Sequence, residues 1–171
     1  MVEIIAHNPL WKKDFMAERE AIRSAMGESL ITLHHIGSTA IPGIHAKPVI
    51  DMLAVATSLD ALEEAAPALV ALGYQAMGAY GIDARRYFRK DDISGRRTHH
   101  LHGYAAGSAD IERHLAFRDY LRAHPDIAAQ YSLLKQRLVA GSEDYLEGKA
   151  PFVLETQTDA LAWYRGRLPA Y

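Results

Sequence analysis

The reading of this chain turns on the stretch Leu33-His34-His35-Ile36-Gly37-Ser38-Thr39-Ala40-Ile41-Pro42-Gly43-Ile44-His45-Ala46-Lys47-Pro48-Val49-Ile50-Asp51-Met52-Leu53-Ala54-Val55. An apolar strand runs into Gly37-Ser38-Thr39, a Pro42-Gly43 turn follows, and a second apolar strand carries one carboxylate, Asp51. Glycine lets the backbone approach a ligand closely, and Ser38 and Thr39 offer hydroxyls as well as backbone N–H groups. Loops of this kind cradle phosphate through backbone donors. Asp51 is flanked entirely by apolar residues, and a carboxylate in such surroundings calls for a metal or hydrogen bonds to compensate it. Thirteen positions separate Ser38 from Asp51, enough for a loop and a strand to bring both to the same end of a sheet. Lys47, just before the second strand, adds a cation for phosphate or is an ordinary surface residue.

The elements on either side fit a sheet around that stretch. Asn8-Pro9 starts an amphipathic helix over 10–26, since proline at the first helical position loses no needed donor. Residues 30–36 read as a strand, and 48–56 is apolar enough to be a central strand covered on both faces. Ser58 caps a helix to about residue 72, closed by Gly73. Residues 74–80 are a weak strand. The stretch 85–90 and the stretch 96–104 form an antiparallel pair around the turn 91–95. From Ser108 onward the pattern is helical: to about 122, from 126 to about 140, and a short piece ending at Gly148. Pro151 then forces a new start or a kink before a last helix to about 165. The expected architecture is α+β, a small mixed β-sheet flanked by helices, followed by a helical C-terminal part. It is read as a single domain over 1–171, with roughly 1–107 as the sheet core and 108–171 as the helical subdomain.

Composition narrows the function classes. With 171 residues the chain has room for a core, and a net charge of −2 lacks the basic excess of a general nucleic-acid binder. There is no cysteine, so neither disulfides nor thiolate chemistry are available, as fits a reducing compartment. The first residues lack the pattern of a signal peptide, and no run approaches the roughly 20 apolar residues that span a bilayer. A soluble, cytoplasmic protein with no membrane partner is expected.

Two further groups carry chemistry. His100 and His102 are two apart on a strand, so both imidazoles project from one face while His99 faces the other way. With Asp51 they make three donors for a metal, and zinc catalysis commonly uses three protein ligands. Around them lie Arg85, Arg86, Arg89, Lys90, Arg96 and Arg97. These read as a charged edge that discourages aggregation, or as a site for an anion, with Arg86 and Arg97 placed to reach the sheet face. Tyr131 and Lys135, and Tyr145 and Lys149, are spaced four apart on helices and so share a face. The simpler reading of each pair is a packed ring with a solvated ammonium; the other is an aromatic against a base with a lysine on phosphate.

Taken together, His35-Ile36-Gly37-Ser38-Thr39-Ala40-Ile41-Pro42-Gly43, Ala46-Lys47-Pro48-Val49-Ile50-Asp51, His100-Leu101-His102, Phe117-Arg118-Asp119-Tyr120-Leu121-Arg122 and the two Tyr-x-x-x-Lys pairs resemble the GrpB family. That family is grouped with predicted nucleotidyltransferases, and the resemblance covers nearly the whole chain. It implies a nucleotidyltransferase-like fold. The wider group's pattern is Gly-Ser, then two acids one residue apart on the next strand, then a third acid, together holding two Mg²⁺ ions on nucleotide phosphates. Gly37, Ser38 and Asp51 match it. Leu53 stands at the second acid's place, and the strand of His100 and His102 is where the third is sought. The resemblance thus implies Gly37 and Ser38 around phosphates, where Thr39, Lys47, Arg86 and Arg97 are expected to join them by their hydroxyl or charge. Asp51, His100 and His102 would serve as metal ligands, for Mg²⁺ or Mn²⁺, with an imidazole as general base. The expected partner is a nucleotide or a phosphorylated small molecule. Nucleotidyl transfer is the first expectation, and a binding module that keeps the pocket without the chemistry is the alternative. A transition-metal site with hydrolytic activity is a third.

Overall fold

The computed structural model describes residues 2–167. Helix α1 (Leu10–Met26) begins where Asn8 Oδ1 accepts the backbone N–H of Leu10 at 3.0 Å. Its stripe of Trp11, Phe15, Ile22 and Met26 recurs at helical spacing, and all four are buried. Strand β1 (Leu30–Ile36) leads into a single 3₁₀ turn, Ser38–Ala40. Strand β2 (Ile50–Ala56) follows, then α2 (Leu59–Ala71), whose first turn is capped by Ser58 Oγ accepting from the Ala61 N–H. Strands β3 (Tyr74–Ala76), β4 (Arg85–Asp91) and β5 (Arg97–Ala105) complete the sheet. Helices α3 (Ala109–Ala123), α4 (Pro125–Ala140) and α5 (Tyr145–Arg167) close the chain. Among the described residues no helix is long and apolar enough to cross a membrane.

The five strands run in the order β1-β2-β5-β4-β3. β2 and β5 pair in parallel at the centre, and the other pairs are antiparallel. Because side chains alternate along a strand, the sheet sorts its residues by parity. Ile50, Met52, Ala54 and Ala56 join Leu33, Phe88 and Leu101 in the main core beneath α1 and α2. Leu53 and Val55 face the other way, with Ile36 and Tyr104, against Ile111 and Leu115 of α3. A third cluster joins Ile41 and Ile44 of the β1–β2 connection to Ala116, Tyr120, Tyr131 and Ala160 of the C-terminal helices. The Gly-Ser turn is thereby clamped between the sheet and the helical layer. Burying one such large apolar side chain contributes about 1.5–3 kcal/mol relative to leaving it exposed.

Two local expectations are corrected. The strand predicted over 74–80 stops at Ala76, because a turn through Tyr80 (φ 48°) and Gly81 (φ 87°) takes the chain out of the sheet. Nor does Pro151 break the last helix, which runs unbroken from Tyr145 to Arg167. Proline there removes one N–H, leaving the Glu147 carbonyl without its intrahelical donor. Tyr145, Thr156 and Ala160 are buried along the same helix, and Phe152 stacks on Tyr131 of α4 with ring centroids 5.1 Å apart. That packing supports a continuous helix across the missing bond.

Candidate functional site

The site is built where β1 ends beside the start of β2. Ile36 and Asp51 are register partners, so the residue after Ile36 comes against the Asp51 side chain. Gly37 holds φ 70°, and a β-carbon there would lie 2.7 Å from Asp51 Oδ2 and 3.0 Å from its Cβ. Only glycine tolerates both the left-handed backbone and that approach. Ser38 and Thr39 then enter the 3₁₀ turn and line a cleft together with Lys47, Asp51, Tyr131, Lys135, Tyr145 and Lys149.

His100 lies beside Asp51 and His102 beside Leu53 in the parallel β2–β5 ladder, so both imidazoles project from Asp51's face. His100 Nδ1 is 3.0 Å and His102 Nε2 3.8 Å from Asp51 Oδ1. Burial would raise the Asp51 carboxyl; the bonds from His100 and His102 outweigh it and hold the group well below the usual carboxylate range. Arg97 Nη1 faces His100 Nε2, and Arg85 Nη1 faces His102 Nδ1, each at 3.4 Å.

Lys135 is the most deeply buried lysine of the site, 1% exposed. Its Nζ donates to Ser38 Oγ at 2.9 Å and to the His45 carbonyl, and it stands 4.5 Å from the centre of the Tyr131 ring. Lys47 and Lys149 flank the Tyr145 ring at 4.8 and 5.0 Å. Burial, with Lys149 nearby, pushes the Lys135 ammonium down to about 7, and burial, with Lys47 nearby, lowers Lys149. Three ammonium groups thus line a cleft with a single carboxylate, Asp51, among its lining residues. Asp51 also borders a second cavity of about 210 Å³ lined by His102, Arg113, His114, Phe117 and Gln157.

Of the residues named from sequence, Gly37, Ser38, Thr39, Lys47, Asp51, His100 and His102 come together here. Arg97 reaches the same face because the β4–β5 register shifts at Lys90/Asp91, and its Nε donates to Asp91 Oδ1 at 2.5 Å. Arg86 does not. It pairs with Gly103, on the opposite face from His102, and its guanidinium binds Glu63 of α2 at 2.7 Å. Arg85 and Arg89, opposite Tyr104 and His100, occupy the site face instead. The simpler reading of the Tyr-x-x-x-Lys pairs is also corrected for Lys135, which is not solvated but buried against Ser38.

The donor set can be tested against the metals the fold suggests. One ligand atom from each of Asp51, His100 and His102 lies within 4.8 Å of the others. A pair of Mg²⁺ ions does not fit: the second-acid position is Leu53, fully buried in an apolar cluster, and magnesium favours oxygen over imidazole. One carboxylate and two imidazoles suit a single first-row transition ion such as Mn²⁺ or Zn²⁺.

A small mixed sheet carrying Gly-Ser and one strand acid, with helices on both faces, defines a nucleotidyltransferase-like fold. A GLD-2/RNP-8 complex matches 92% of this chain and 51% of its own at TM-score 0.59 and 12% identity. The Cid1 poly(U) polymerase with Mg 3′-dATP bound matches 77% of this chain and 42% of its own at TM-score 0.55 and 13% identity. Within that class the chain belongs to the GrpB family, whose model, described as GrpB protein, matches residues 1–159. The structure of the conserved protein GrpB from Enterococcus faecalis superposes at TM-score 0.89 with 35% identity, covering 95% of this chain and 99% of that one. The protein YqkA of Bacillus subtilis is 44% identical over 170 residues, covering 97% of this chain and 49% of YqkA. The chain therefore spans about half the length of that relative.

Proposed function

We propose that this protein binds the phosphates of a nucleotide or a phosphorylated small molecule in the cleft between the Gly-Ser turn and α4–α5, and that it transfers a nucleotidyl group. The observation that carries the reading is the charge imbalance: Lys47, Lys135 and Lys149 surround a cleft whose one lining carboxylate is Asp51. Cations crowded without counter-charge are relieved by a polyanion, and the Gly37-Ser38 turn adds backbone donors beside them. The organic part of the ligand would occupy the adjoining cavity, where Phe117 offers a ring and Gln157 an amide. Asp51 sits at the junction of the two, where the reacting phosphorus would lie.

Asp51, His100 and His102 would hold one divalent ion, which would neutralise charge developing on the phosphoryl oxygens. The chain's own contribution is positional. Lys135 fixes Ser38, and Lys47 and Lys149 hold the phosphates against Tyr145. A buried Leu53 in place of a second acid favours one other reading, a module that recognises the ligand without transferring anything.

Thermal unfolding with pyrophosphate and each nucleoside triphosphate, with Mn²⁺ or with EDTA, tests the binding, since a ligand of the folded state alone raises the melting temperature. A smaller stabilisation in Lys135→Met is expected. Incubation with labelled triphosphates and a metabolite pool then separates the two readings. Transfer abolished by Asp51→Asn supports the enzyme, and stabilisation in EDTA without turnover supports the module. If no phosphorylated compound stabilises the protein, the proposal fails.

A further inference from the structure

A larger cavity, of about 490 Å³ against about 80 Å³ for the cleft, shares the Thr39 wall with it. Phe15, Met16, Leu33 and Pro42 give it an apolar side, and Lys12, Arg118 and Arg122 give it a cationic one. Arg118 donates from Nε to Asp119 at 2.7 Å and from Nη1 to the His35 carbonyl at 3.1 Å. Arg122 donates from Nε to the Ala40 carbonyl at 2.8 Å, with Nη1 3.8 Å from Asp119. Among the described residues Asp119 is the one carboxylate paired with the two arginines, and Nη2 of neither arginine is engaged. Burial first, then Arg122 and Arg118, push His35 down to about 4, and burial followed by Arg118 lowers His34. Phe15 is packed into the wall itself, stacking on His35 at 4.8 Å with the planes 15° apart.

We propose that this cavity binds an organic anion, a carboxylate or phosphate carried on an apolar body, and that its occupancy is transmitted to the proposed phosphate cleft. Arginine's planar fork matches either head group, while Met16 and Pro42, the exposed apolar residues of the lining, take the apolar body. Transmission runs through the turn Ser38–Ala40 itself. His35 Nε2 is bonded to Thr39 Oγ1 at 2.8 Å, and Arg122 holds Ala40. An anion that draws Arg122 toward it loosens the carbonyl bond holding the turn that carries Ser38. Anion binding here is independent of the proposed phosphate cleft, whereas the transmission rests on that reading.

Isothermal titration of the full chain with 2-naphthoate, 2-naphthyl phosphate and neutral 2-naphthamide tests the site. At least one anion is expected to bind about tenfold or more tightly than the amide, and Arg122→Gln and Lys12→Gln to weaken it several-fold, as loss of charge-assisted bonds requires. The exposed Lys12 variant guards against misfolding as the cause. The preferred anion identifies the head group. Absent binding, equal binding of the amide, or anion binding lost in Lys135→Met overturns the site, the last because the probe then sits in the cleft. Saturating naphthoate is expected to change pyrophosphate affinity by about fivefold or more, the lower end of typical coupling energies; unchanged affinity overturns the transmission.

Discussion

Gly37 and Asp51 are in such close contact that no β-carbon fits between them: one placed on residue 37 would stand 2.7 Å from Asp51 Oδ2. The strand acid and the Gly-Ser turn are therefore a single unit. Gly37→Ala adds the strain of a left-handed backbone to that clash, and should cost about 1–3 kcal/mol. Asp51 must also move from His100. Urea unfolding gives the stability loss, and a titration with Mn²⁺ is expected to show weaker binding than in the unmodified protein. A variant as stable and as competent as the parent would show that the contact is dispensable.

Arg86 and Arg97 make a matched pair for testing which face of the sheet is used. Arg86→Ala removes a partly exposed ion pair with Glu63 and should cost under about 1 kcal/mol while leaving pyrophosphate binding unaltered. Arg97→Ala removes the group behind His100 and is expected to weaken that binding. Titrations of the two variants side by side decide it; equal losses would mean that the effect is only one of overall charge.

The contrast between these arginines also shows what the sequence could convey. Gly37, Ser38 and Asp51 were legible because a strand, a turn and a strand that follow one another need little more than chain connectivity to meet. His100 and His102 were legible because alternation fixes their common face. Arg86 was misplaced because its face depends on the β4–β5 register, and the shift at Lys90/Asp91 moves Arg97 but not Arg86. Lys135 was undervalued because four-residue spacing from a tyrosine reads alike on a solvated helix and a buried one. Only the docking of α4 onto His45 and Ser38 distinguishes them. Pro151 misled for a related reason: local rules count the lost hydrogen bond and omit the packing around it.

Leu53 offers a direct test of the missing acid. It is fully buried among Ile36, Val55 and Tyr104, beside His102 in the sheet. Leu53→Asp would restore the acid-x-acid pattern but place an unpaired carboxyl in an apolar cluster, at a cost of at least about 2–3 kcal/mol. Lower thermal stability is expected without metal, with part of the loss recovered by millimolar Mn²⁺ through binding to the folded state. Recovery absent from an Asp51→Asn, Leu53→Asp double variant would place the ion at both carboxylates. A substitution that leaves the melting temperature unchanged would contradict the apolar packing described for this position.

Lys135 gives the site a pH dependence whose sign is fixed by burial. Its ammonium falls from 10.5 in a free side chain to about 7 in the folded protein. Between those values the unfolded chain holds more protons, so this residue makes stability rise with pH from about 7 toward 10.5. The anion has the opposite preference, because phosphate binds the charged ammonium. Pyrophosphate affinity should therefore fall as pH rises through about 7, and binding just above that value should take up a proton. Titration calorimetry in buffers of different ionisation enthalpy measures that uptake directly. Since pyrophosphate itself titrates, the decisive quantity is the difference from Lys135→Met, which should lose the uptake assigned to the lysine and show a flatter stability profile. Identical proton uptake in the two proteins would remove Lys135 from the phosphate site.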